Sequence, residues 1–167
     1  MRIQSIFTTI AVTACTAALA AAPALASGSP HFIENLTKVT DTDLSSVTVA
    51  FKEAGLESGA IETITVNAHL DATYQCVNRG GHNPDDPKKT VISGDYSKSG
   101  EFKAARNGNV IGSLTVTAPA PTTVLDCPNG QKAVHTVSTW SNISVTDEDT
   151  QATITAPGTF SFGKPVD

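Results

Sequence analysis

Basic residues are scarce in this chain: 11 Lys and Arg stand against 16 Asp and Glu, for a formal charge of −5. A surface that binds phosphates needs clustered Lys and Arg, so the composition argues against a nucleic-acid partner. Aromatics make up 5% of the residues, and apart from Phe they are Trp140, Tyr74 and Tyr96. Sugar platforms stack rings on aromatics, which speaks against a dedicated carbohydrate-binding module. Beyond residue 26 no apolar run approaches the ~18 residues of a membrane span, so no transmembrane segment is expected. Nor does that region keep i, i+3, i+4, i+7 apolar spacing over three turns, which excludes a helical domain. G-x-S-x-G, H-x-x-x-H and C-x-x-C are all missing. The common serine-hydrolase elbow, a helical zinc site and a dithiol redox centre therefore lack their signatures.

At the start of the chain stand Met1 and Arg2, then an apolar stretch to Leu25, closed by Ala24-Leu25-Ala26. A positive start, an apolar run and a small-x-small site read as a secretory signal peptide over residues 1–26, and hence a secreted, extracellular protein. Val12-Thr13-Ala14-Cys15 resembles a lipobox, but the apolar run continues well past Cys15, so the plain signal is preferred. Removing the signal removes Cys15 and leaves Cys76 and Cys127. An even pair in an exported chain predicts one disulfide, worth about 4 kcal/mol in the chain-entropy picture for a loop of this length.

Residues 27–45 form a weakly patterned lead-in, and 46–167 a single β-sandwich domain. Val47, Val49 and Phe51 alternate with Thr48 and Ala50, predicting a strand near 46–52. Residues 53–59 read as a turn. The strongest signal is at 61–77, where Ile64, Val66, Ala68, Leu70, Ala72, Tyr74 and Cys76 share one parity. That is a long half-buried strand with Cys76 on its core face. Two Gly, two Pro and dense charge make 78–89 a loop. Strands are expected at 90–96, 102–105 and 110–117, the last two as a hairpin about Asn107-Gly108. A second loop spans 118–132. Another long strand at 133–146 changes parity between Trp140 and Ile143, which predicts a bulge near Ser141-Asn142. Asp147-Glu148-Asp149 turns the chain back into 151–156, and a short segment follows at Phe160 and Phe162. The sum is an all-β fold: an antiparallel immunoglobulin-like β-sandwich of about seven or eight strands with one disulfide. Trp140 follows both cysteines, so the Cys…Trp…Cys order of a true immunoglobulin domain is not met.

Four segments carry a resemblance: Val47-Thr-Val-Ala-Phe-Lys-Glu-Ala-Gly-Leu56, Ala72-Thr-Tyr-Gln-Cys-Val-Asn78, Gly112-Ser-Leu-Thr-Val-Thr-Ala-Pro119 and Cys127-Pro-Asn-Gly-Gln131. The chain resembles a group of small secreted proteins of filamentous bacteria and fungi with no assigned activity. The resemblance implies export and a disulfide, and supplies no site residues.

Loops held on a rigid sandwich are the usual place for recognition. Loops 78–89 and 118–132 flank the two cysteines and are expected to lie together, with Arg79, His82, Asp85 and Asp86 as contact residues. The reading is a non-enzymatic exported protein that binds a surface such as cell wall, a glycan or a protein partner. Two alternatives stand beside it. Ala118–Asp126, braced by prolines and Cys127, has the character of a protease-inhibitor loop. His69 and Asp71, two apart on a polar strand face, or His135, would serve a small hydrolase. No metal or cofactor is expected. A structural Ca²⁺ is the one alternative, at the acidic turns around Asp41-Asp43, His82-Asp85-Asp86 or Asp147-Asp149, which otherwise read as solvated turns.

Overall fold

The computed structural model describes residues 28–78, 80 and 88–164. The expected signal peptide over 1–26 and the expected contact residues Arg79, His82, Asp85 and Asp86 lie outside the described residues.

Period-two alternation builds the centre of both layers. In β3 (Ser46–Ala54) the buried residues are Val47, Val49, Phe51 and Glu53. In β4 (Ile61–Asn78) every even position from Glu62 to Cys76 is buried. Burying such rows contributes roughly 25 cal/mol per Å² of apolar surface, and only a facing layer can cover them. β3 is flanked by β6 (Val110–Thr117) along one edge and by β1 (His31–Phe32) and β2 (Lys38–Thr42) along the other. β4 lies between β5 (Lys89–Lys103) and β7 (Gln131–Asp147). The far edge of β7 carries β8 (Thr153–Thr155) and β9 (Phe160–Gly163). Every pairing is antiparallel, and the two sheets form a β-sandwich around Phe51, Ile64, Leu70, Tyr74, Trp140 and Ile143. Among the described residues no helix is long and apolar enough to cross a membrane.

The structure departs from expectation at several places. The lead-in carries β1 and β2, held to β3 by backbone pairing that leaves little trace in side-chain pattern. Residues 90–96 and 102–103 belong to one strand, β5, which ends at Lys103, and its outer edge position blurs the alternation. The Asn107-Gly108 turn closes tightly, with Gly108 N–H donating to Ala105 O at 2.9 Å and φ of 70° at Gly108. It is not a hairpin, because β5 pairs with β4 and β6 with β3, so the turn crosses between sheets. Phe102 sets that crossing by packing its ring 5.1 Å from Phe51.

The predicted bulge is present. Opposite β4 the register jumps between Asn67↔Ser144 and His69↔Ser141, and Asn142 sits at φ 50°. Before it Thr136, Ser138 and Trp140 face inward; after it Ile143, Val145 and Asp147 do. A second irregularity at Thr136 is filled by its own hydroxyl, which donates to Thr73 O at 3.1 Å.

Candidate functional site

The Cys76–Cys127 disulfide forms as expected, with Cα atoms 5.6 Å apart and 51 residues between them. It ties the end of β4 to the segment following a short helical turn, α1 (Pro121–Val124). Three further contacts brace the same end. Cys76 N–H donates to Lys88 O at 2.9 Å, Lys88 Nζ to Asp126 O at 2.7 Å, and the Tyr74 hydroxyl to Pro119 O at 2.9 Å. Segments 78–89 and 118–132 therefore meet at Lys88 and Asp126. The Ala118–Asp126 stretch is no extended inhibitor loop. Pro121 starts α1, and Leu125 is buried behind it.

His69 stands on the outer face of β4, and its neighbours come from β5 by register. His69 pairs across to Asp95, with Ser93 beside it. Nδ1 lies 2.6 Å from Asp95 Oδ1, and Nε2 lies 3.2 Å from Ser93 Oγ and 3.7 Å from Asp71 Oδ1. The Asp95 hydrogen bond holds the imidazole above the usual histidine range, with the Asp71 and Asp95 charges adding to it. Serine, histidine and carboxylate thus stand in the order of a hydrolytic triad. Ser93 is exposed and the Asp95 side chain is 84% exposed. His135, the other catalytic candidate, stacks on Tyr74 with ring centroids 4.6 Å apart. Burial lowers its pKa.

A third cluster lies at the opposite end of the disulfide strand, where β3, β4 and β7 approach one another. Glu53 and Asp147 have no exposed surface, and Glu62 is 6% exposed. Carboxylate oxygens of Glu62, Asp147 and Asp149 fall within 4.8 Å of one another. Asp147 Oδ2 accepts from the Thr150 hydroxyl at 2.7 Å, and its Oδ1 from Asp149 N–H at 2.9 Å. Asp149 Oδ2 accepts from Thr63 N–H at 2.7 Å. Glu53 Oε2 is fully buried and has no hydrogen-bond donor among the described residues. Burial, then the charge and hydrogen bonding of Asp147, push the Glu53 carboxyl up to about 8. Glu62 is raised too, by burial and then by Asp147 and Asp149. A cavity of about 260 Å³ opens onto Glu57, Glu62 and Thr150.

No family model and no curated protein matches this chain.

The acidic cluster corrects two expectations from sequence. Asp147 is not a solvated turn residue, because the Asn142 bulge turns it inward. Glu53 is not in a turn, because β3 runs on to Ala54 with Glu53 on the parity of Val47, Val49 and Phe51. A signal existed for both glutamates: Glu53 and Glu62 each continue the core parity of a strongly alternating strand. The Asp41-Asp43 turn, by contrast, satisfies itself. Asp43 Oδ1 accepts from Ser45 N–H and Ser46 N–H, both at 2.7 Å, and the Ser45 backbone bond leads in lowering its pKa. Ser93 and Asp95 had no sequence signal, since only the β4–β5 register brings them to His69.

Proposed function

We propose that the chain is an exported, non-catalytic binding protein whose contact surface is built from loops 78–89 and 118–132. The observation that carries this reading is the disulfide-braced end, where Cys76–Cys127 and the Lys88–Asp126 hydrogen bond tie the second loop and the close of the first to the end of β4. Loops carried on a rigid scaffold are the usual place for recognition. Arg79, His82, Asp85 and Asp86 supply mixed charge for the contact. The leader-like start and the resemblance to small exported proteins support a partner outside the cell, as cell wall, glycan or protein. The test is depletion of the oxidised protein by insoluble cell wall, chitin and cellulose, read from Trp140 fluorescence. Saturable loss that weakens in a variant with alanine at the four loop positions supports the reading. Absence of depletion from every matrix removes the surface and glycan versions and leaves a soluble protein partner.

The Ser93–His69–Asp95 line favours a second reading, a small ester hydrolase working on the open face of the second sheet. Turnover of chromogenic esters that Ser93→Ala abolishes would establish it. Equal rates for Ser93→Ala and the parent would eliminate it.

A further inference from the structure

Two sheets meet where Glu53 on β3 stands against Glu62 on β4 and Asp147 on β7, with Asp149 at the rim. Four carboxyls share this corner, and among the described residues none pairs with a Lys or Arg. Buried carboxylates normally neutralise by taking a proton, a cationic partner or a metal ion. Glu53 is the telling residue. It is fully buried, it contacts Asp147, and its Oε2 finds no donor. A buried carboxylate oxygen without a donor, on a side chain that lies against other carboxylates, marks a place for a cation.

We propose that Glu62, Asp147 and Asp149, closed from behind by Glu53, form a Ca²⁺ site that staples the two sheets together. The donors are all oxygens, with no His or Cys among them, which selects a hard cation. Calcium is the one that takes several carboxylates directly, whereas Mg²⁺ dehydrates reluctantly and keeps several of its waters. The ligand atoms of Glu62, Asp147 and Asp149 all lie within 4.8 Å of one another, close enough for one ion to reach all three. Asp147 and Asp149 are already aimed by backbone N–H groups, so two ligands are preorganised. The cavity lined by Glu57, Glu62 and Thr150 gives the ion its route in from solvent.

The experiment is thermal unfolding and isothermal titration of the oxidised protein at about pH 7.5, first stripped with EDTA, then with about 5 mM CaCl₂ or MgCl₂. Extracellular calcium modules bind at about 0.1–1 mM, so calcium is expected to raise Tm by about 3–8 °C with saturable heat. Magnesium is expected to do markedly less. Asp149→Asn, at an exposed ligand, and Glu62→Gln should each weaken calcium binding at least about tenfold. Glu53→Gln keeps a neutral, hydrogen-bonding side chain in place, so it should stay folded while losing most of the calcium response. No heat and no Tm shift with calcium would mean that Glu53 and Asp147 share a proton only, and would overturn the site. A shift equally large with magnesium would overturn the calcium assignment.

Discussion

The carboxyls of Glu53 and Asp147 come from different sheets and meet in the core, each residue without exposed surface. Two buried carboxylates repel unless one takes a proton, and Glu53 is the one whose pKa is pushed up, to about 8, by burial and then by Asp147. The pair is therefore a titratable joint between the layers. The same corner is where the calcium site is placed, so protons and metal compete for it.

The joint predicts an alkaline loss of stability. Glu53 holds its proton more tightly in the folded protein, at about 8, than at the ordinary glutamate value of 4.5. Its contribution is therefore complete below about pH 4.5 and lost as pH rises through about 8, with an upper limit of about 5 kcal/mol. In metal-free buffer the Tm should fall between pH 5 and pH 8.5, roughly. Glu53→Gln should flatten that slope and raise Tm at the alkaline end. Calcium should restore stability at pH 8 and do little near pH 5. A Tm profile for the two proteins, with and without EDTA, checks all of this.

His69 should titrate above an ordinary histidine, because Asp95 accepts its Nδ1 hydrogen bond. Asp95→Asn should bring its midpoint down, and Ser93→Ala should move it less. Following the His69 imidazole protons by NMR across pH 5–9, roughly, measures both shifts.

Breaking the Cys76–Cys127 bridge should cost about 4 kcal/mol, since it closes a separation of 51 residues. That corresponds to roughly 8–16 °C in Tm for a domain of this size. Loops 78–89 and 118–132 should become the first protease-sensitive sites. Comparing oxidised protein with Cys76→Ser/Cys127→Ser by calorimetry and limited proteolysis gives both numbers. The calcium response, at the far end of β4, should survive in the variant.

Asn142 occupies the left-handed region at φ 50°. Asn142→Gly should be near neutral, whereas Asn142→Val should cost about 1–3 kcal/mol, because a β-branched side chain fits that region badly. Deleting Asn142 should be far worse. It would turn Ile143, Val145 and Asp147 outward together, and the chain should fail to give a cooperative melt.

Much of this protein is written in the order of its residues. The alternation of Ile64 through Cys76 dictates a long half-buried strand, the two cysteines beyond residue 26 point to the bridge, and the parity change between Trp140 and Ile143 dictates the bulge. These features are legible because strand periodicity is local: each side chain's face follows from its neighbours two residues away. The tertiary structure decided the rest. That Asn107-Gly108 crosses between sheets, that β1 and β2 pair with β3, and that Ser93 and Asp95 reach His69 all depend on which edges pair, over separations that local pattern does not encode. The acidic corner lies between these two cases. Parity alone points Glu53 and Glu62 inward, but only the packing of two sheets, with β7 bulged by one residue, brings Asp147 to meet them. Electrostatic consequences come from distances between strands remote in sequence, and those distances exist only once the layers close.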